Sequence, residues 1–216
     1  SSGDIGDLFE YRIKEPITIR KDQSALVPIL QSPVEAEKVS IWNPSSAPAR
    51  PLHALWLHNT SGATLDGGTF SVLDQETFSG EGVIDSVRPG ERRLISYAVD
   101  LALNASSRRE STSQRVRRFV ASKGTLKLFS ELRENTTYTF RNEDTEPRVV
   151  LIEHPVRPGF EMRGAAKPIE TTREWMRFRL EVPSKQTASL LLEESRPSET
   201  TYRISDLNTE SVVLMV

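Results

Sequence analysis

The chain has 216 residues, no cysteine, 27% charged residues and a formal net charge of −2 at pH 7. The missing cysteines exclude a disulfide framework, a thiolate metal site and a cysteine nucleophile, and the near-neutral balance excludes a global pull toward nucleic acid or anionic lipid. At this length one large β domain or two modules of roughly 100 residues bury enough surface to fold without a staple.

In chain order, Ser1-Ser2-Gly3-Asp4 lacks the basic and apolar regions of a signal peptide. The absent start methionine predicts a processed or cloned fragment. Phe9, Tyr11 and Ile13 alternate with Glu10, Arg12 and Lys14, the period-two pattern of a half-buried strand. Ile17 to Arg20 and Ala25 to Leu30 are further strands, with Pro28 marking an edge or bulge. Val34 to Trp42 alternates again, ahead of a proline-rich loop from Asn43 to Pro51. Leu52 to His58, Thr69 to Leu73, Phe78 to Val87 and Leu94 to Val99 follow, the last with apolar residues on both faces. Asn59 to Gly62, Asp66-Gly67-Gly68 and Arg88-Pro89-Gly90-Glu91 are turns between them.

Asn104 to Gln114 is polar and reads as a loop or module boundary. A meander follows, with Arg115 to Ala121, Thr125 to Arg133 and Thr136 to Asn142 joined at Ser122-Lys123-Gly124 and Glu134-Asn135. Val149 to Glu153, Trp175 to Val182, Ala188 to Glu193 and Thr201 to Ile204 are strands, and Pro155 to Thr171 is a surface excursion. The apolar end, Ser211 to Val216, predicts continuation beyond the last residue. No apolar run approaches the ~20 residues of a membrane-spanning helix. Helical periodicity is nearly absent, and even Ser113 to Phe119 lacks an apolar stripe.

The expected fold is therefore all-β, an antiparallel β-sandwich architecture in two sandwich-like halves. The division places one half at 1–105, a polar loop or boundary at 106–114 and the second half at 115–216. The halves echo each other, Leu57-His58-Asn59 against Phe140-Arg141-Asn142 and Pro89-Gly90-Glu91 against Pro183-Ser184-Lys185.

Candidate chemistry is sparse. His53 and His58, five residues apart in one strand, point to opposite faces and cannot chelate one ion. His58, His154 and Glu153 form a conceivable metal set without a spacing signature, and hydrogen-bonded strand-end histidines are the preferred reading. No Gly-x-Ser-x-Gly elbow, Walker lysine loop or dinucleotide fingerprint occurs. The glycines of Ser79-Gly80-Glu81-Gly82 mark a bulge or a close backbone approach. Carboxylates such as Glu81 and Asp85, or Glu143 and Asp144, carry no glycosidase information without distances. Arg108, Arg109, Arg115, Arg117, Arg118 and Lys123 read as a solvated strand face that guards a sheet edge, in preference to a nucleic-acid site. Among the tryptophans, Trp56 and Trp175 are expected in the core. Trp42, ending a strand beside the loop, is the candidate ligand-binding ring. Asn59, Asn104 and Asn135 match the glycosylation pattern, but each has a turn role.

Leu8 to Arg12, Pro16 to Ile19, Gln23 to Ile29, Ala54 to Gly68, Gly80-Glu81-Gly82 and Arg88 to Glu91 together resemble the bacterial domain of unknown function 4139 family, also called mucoidy inhibitor A-like. The resemblance covers residues 8–103 and extends toward Glu194. It implies family membership and a longer protein with a further N-terminal domain and helical segments, and it supplies no catalytic residue. The resulting expectation is a non-catalytic β-sandwich domain, a structural or protein-interaction module of a larger bacterial protein. Its partner is another protein or the rest of its own chain, with no cofactor and no nucleic acid, and both envelope and cytoplasm stay open. The alternatives are a carbohydrate-binding module using Trp42 and a hydrolase with an unrecognised acidic or histidine site.

Overall fold

The computed structural model describes residues 2–5, 8–11, 32–45 and 50–206, with side chains described outside 2–5, 8–11 and 112–117. The expected strands at Ile17 to Arg20 and Ala25 to Leu30 lie outside the described residues. Among the described residues fourteen strands run in chain order: β1 Ser2–Ile5, β2 Leu8–Tyr11, β3 Glu35–Trp42, β4 Leu52–His58, β5 Gly68–Asp74, β6 Thr77–Ile84 and β7 Arg92–Val99, then β8 Leu103–Ser122, β9 Thr125–Asn142, β10 Arg148–Pro155, β11 Glu161–Arg163, β12 Glu170–Thr171, β13 Trp175–Val182 and β14 Thr187–Arg203. A 3-10 turn at Ile204–Asp206 is the sole helical element among the described residues. The fold is all-β, as the alternating pattern predicts.

The chain forms two compact units. The first takes Ser1–Val39 and His53–Ala98, and the second takes Ser40–Leu52 and Val99–Val216. In the first, the strand order is β3-β4-β7, with a separate β5-β6 ribbon. A register shift between Val72 and Leu73 leaves Ser79 as the extra residue of a bulge. Beside it, a Cβ on Gly80 (φ +149°) would meet the Tyr97 carbonyl oxygen at 2.3 Å, and one on Gly82 the Ser96 carbonyl oxygen at 2.7 Å. The glycines thus serve both roles the sequence suggests, bulge and close approach. β7 does not have two buried faces: its apolar residues are only half-buried and Val99 is exposed.

In the second unit two sheets pack face to face. One runs β12-β13-β10-β3, with β3 parallel to β10 through Ser40 to Trp42. The other runs β11-β14-β9-β8. Their inner faces share one core: Trp42, Val150, Ile152, Phe178 and Val182 from the first sheet, and Leu103, Tyr138, Phe140 and Leu192 from the second. β10 is a central strand, and Val150, Leu151 and Ile152 are all fully buried, which explains why this strand reads as a continuous apolar run.

Several expected boundaries move. The polar stretch 106–114 is no loop, because it lies inside the 20-residue strand β8. The division between units instead falls at Val99. Glu134-Asn135 is no turn, since β9 passes through it without interruption, paired on both sides. The meander is therefore a single long hairpin. Its turn is Lys123-Gly124, whose φ values of 48° and 76° are those of a type I′ connection. Ala188 to Glu193 and Thr201 to Ile204 likewise fuse into β14, with Pro197 inside it. Beyond Ser195 no described strand pairs with the outer side of β14, so the missing proline N–H costs no ladder bond among the described residues. Polar composition misleads at these places because backbone pairing with neighbouring strands, which composition does not encode, holds them extended.

Each unit carries the same asparagine corner. Asn59, at 0% exposure, donates from Nδ2 to the carbonyls of Ala63 and Val87, while its Oδ1 accepts from the Ser61 backbone N–H. Asn142, also at 0%, donates to the carbonyls of Glu146 and Val182, and its Oδ1 accepts from the Asp144 N–H. The backbone N–H groups match as well: Asn59 bonds the carbonyl of Glu91, just before β7, and Asn142 that of Gln186, just before β14. Asn104 and Asn135, by contrast, lie within β8 and β9 and serve no turn.

Candidate functional site

Two constellations bring chemistry-bearing side chains together, one in each unit. The first is buried in the second unit and built on three strands. His154 on β10, Tyr138 on β9 and Glu194 on β14 are 0%, 1% and 2% exposed. The Tyr138 hydroxyl lies 2.6 Å from His154 Nδ1, and Glu194 Oε2 lies 3.0 Å from Nε2. A neutral imidazole satisfies both neighbours as the Nε2–H tautomer, accepting from the phenol and donating to the carboxylate. Because β10 belongs to one sheet and β9 and β14 to the other, this chain of bonds crosses the sandwich.

The carboxylate end continues outward. Glu194 sits directly opposite Glu134 in the β9-β14 ladder, a like-charge pair that opposes pairing. Arg157 resolves the conflict by gripping both, with Nη1 2.5 Å from Glu134 Oε2 and Nη2 on Glu194 Oε2. Its guanidinium also lies 3.8 Å from the Phe160 ring centroid, and Arg196 stands over the same ring at 5.2 Å.

The protonation pattern follows from these contacts. Burial pushes the Glu194 carboxyl up, but the hydrogen bonds from His154 and Arg157, with the Arg157 charge, outweigh it and hold the group below its ordinary range. Burial likewise opposes the charge on Arg157, and the bonds to Glu194 and Glu134 more than restore it. The Tyr138 phenol is pushed up to about 12, chiefly by burial. Arg177 forms a second clamp in the same unit, holding Glu153 on β10 and Glu170 on β12 from the strand between them.

The second constellation is open. A cleft of about 320 Å³ in the first unit is lined by Glu35, Ala36, Glu37, Trp56, His58 and Arg92. β4 contributes Trp56 and His58 from the middle of the β3-β4-β7 order, with Glu35 and Glu37 on one flank and Arg92 on the other. His58 Nδ1 is 2.9 Å from Glu35 Oε2.

The residues singled out in the sequence fall differently from expectation. Trp42 is not an exposed ring: it is 5% exposed and packs edge-on against Tyr138 and Phe140, at 5.7 and 5.3 Å between centroids. Ending a strand does not expose a residue when that strand is covered on its inner face. Trp56 and Trp175, expected in the core, are half-buried. His58, His154 and Glu153 do not converge, since each has separate partners. No group of three potential metal ligands occurs among the described residues. His53 stacks on Tyr97 with centroids 5.8 Å apart. Of the basic cluster, Arg108 pairs with Glu110 and Arg118 lies over the Phe129 ring, both on the outermost strand β8.

Tyr138, Arg157, Glu134 and Glu194 were not visible as a set in the sequence. Their one legible trace is an ionisable residue on an otherwise core-facing position, His154 beside the apolar run of β10.

Fold and sites together define an all-β protein of two compact units, one holding a sealed polar chain and the other an open polar cleft. No protein-family model matches the chain, and no curated protein or solved structure is significantly similar to it. No helix among the described residues is long and apolar enough to cross a membrane.

Proposed function

We propose that this chain is a non-catalytic β-sandwich module with a structural or protein-interaction role. The observation that carries the reading is the closure of its most enzyme-like constellation. A catalytic acid or base must come within hydrogen-bond reach of a substrate atom. His154 has both ring nitrogens engaged by Tyr138 and Glu194, and all three residues are at most 2% exposed. Their chemistry is spent on joining two sheets. The resemblance to the domain of unknown function 4139 family agrees with this reading, since it brings no catalytic residue.

The interaction role is supported by β8. This strand of 20 residues is outermost in its sheet, and among the described residues nothing pairs with its far side. Such an edge offers backbone groups for strand addition, and the arginines of β8 restrict it to a partner strand of complementary charge.

The test is a panel of chromogenic ester, phosphoester and glycoside substrates assayed with the purified protein and with Tyr138→Phe and His154→Phe. The expected result is no turnover in any of the three and reduced thermal stability in both variants. Turnover by the parent that a folded His154→Phe variant loses would sink the proposal.

A further inference from the structure

We infer that the cleft around Trp56 in the first unit is a binding site for a neutral saccharide. This goes beyond the reading above, which rests on the second unit, and it concerns a different ring from the buried Trp42. At about 320 Å³ the cleft lies at the small end of the ~300–1,000 Å³ range of ligand pockets, a size suited to one or two sugar rings.

The lining combines the two elements that sugar recognition needs. An apolar face is required for the C–H side of a pyranose ring, and half-buried Trp56 supplies it. Planar bidentate groups are required for the hydroxyls around the ring. Glu35 offers a carboxylate acceptor on one side of Trp56, and Arg92 a forked donor on the other. His58 adds an adaptable position: with Nδ1 held by Glu35 at 2.9 Å, its Nε2 remains to accept from or donate to a hydroxyl.

Charge decides between ligand classes. The Glu35 carboxylate disfavours phosphate or a sugar acid, while the guanidinium disfavours an alkylammonium ion over the same indole. A polyhydroxylated ligand without net charge uses both signs of hydrogen-bonding group and is repelled by neither. The position on strands favours a preformed site, because the backbone of β4 is held by a neighbour on each side.

The experiment is a titration of the whole 216-residue chain, ¹⁵N-labelled, with glucose, galactose, mannose, N-acetylglucosamine and their β-linked disaccharides, followed by amide and indole chemical shifts. Tetramethylammonium and inorganic phosphate are titrated in parallel. The expected result is saturable shifts confined to Trp56 and the amides of 35–37, 56–58 and 92 with at least one sugar, at a Kd on the order of 1 mM. Arg92→Ala, at an exposed position that leaves the fold intact, is expected to weaken binding at least tenfold, and Trp56→Ala to abolish it, whereas Trp175→Phe leaves it unchanged. The inference is overturned if no sugar of the panel gives saturable shifts. It is equally overturned if tetramethylammonium or phosphate binds there more tightly than every sugar, or if sugar binding survives Arg92→Ala and Trp56→Ala unchanged.

Discussion

Arg157 carries more consequence than its neighbours because it stands between two carboxylates that the ladder places face to face. Removing one partner of a buried ionic group leaves uncompensated charge, at a cost of about 3–5 kcal/mol. Arg157→Ala is therefore expected to lower unfolding free energy in urea by an amount in that range. Arg157→Lys is expected to recover less than half, because an ammonium cannot reproduce the fork that spans Glu134 and Glu194. Parent-like stability of Arg157→Lys would show that only the charge matters.

The same network sets two limits of pH stability. Glu194 has a folded-state value below the ordinary 4.5, so its contribution is complete above that value and is lost as the pH falls through the lower folded one. Tyr138 runs the other way. Its contribution is complete below 10.0 and is lost as the pH rises through about 12, because the unfolded phenol ionises first. Chemical denaturation across pH should thus show an acid limb that flattens in Glu194→Gln and an alkaline limb that flattens in Tyr138→Phe. The tyrosine was legible only as part of the strand Thr136 to Asn142. Its pairing with His154 was not, since 16 residues separate them and they belong to facing sheets.

Among the elements, the β5-β6 ribbon and the long hairpin show opposite relations between sequence and structure. The glycines of the ribbon announce their purpose. Gly80 holds a φ of +149° and a backbone contact with Tyr97 that leaves no room for a methyl group. Gly80→Ala is expected to destabilise the first unit by about 2–3 kcal/mol through strain and displacement of β7, read as a lower urea midpoint. A change below ~0.5 kcal/mol would mean the approach to Tyr97 is not tight. The β8-β9 hairpin conceals its extent instead. Residues 106–114 are polar, so composition resembles a loop, while the register with β9 continues from Leu103 to Ser122 with two shifts. Backbone pairing, which composition does not encode, holds that segment in a strand.

For the molecule as a whole, the paired asparagine corners are the clearest statement of a common design. Asn59 and Asn142 each bind a carbonyl four residues on, an N–H two residues on and the carbonyl of a valine distant in the chain, Val87 or Val182. A buried group left without its partner costs about 1–3 kcal/mol, and each alanine variant exposes several such groups. Asn59→Ala and Asn142→Ala should therefore each destabilise by at least that amount. Hydrogen exchange is expected to locate the loss in β4 and β7 for the first variant and in β9 and β13 for the second. Loss of protection in both units from either variant would contradict two separately organised units.

What the sequence by itself determined is the strand content, the turns at Arg88 to Glu91 and Lys123-Gly124, the role of the ribbon glycines and the faint echo of Leu57-His58-Asn59 in Phe140-Arg141-Asn142. All of these are local, since period-two alternation and special backbone angles act within a few residues. Tertiary structure alone decided that Trp42 is core while Trp56 lines a cleft, that residues 40–52 join the second unit, and that His154 is held between Tyr138 and Glu194. Alternation tells which side chains share a face of a strand. Only the packing of one sheet against another tells which face is covered, and the covered face separates a core ring from a binding platform.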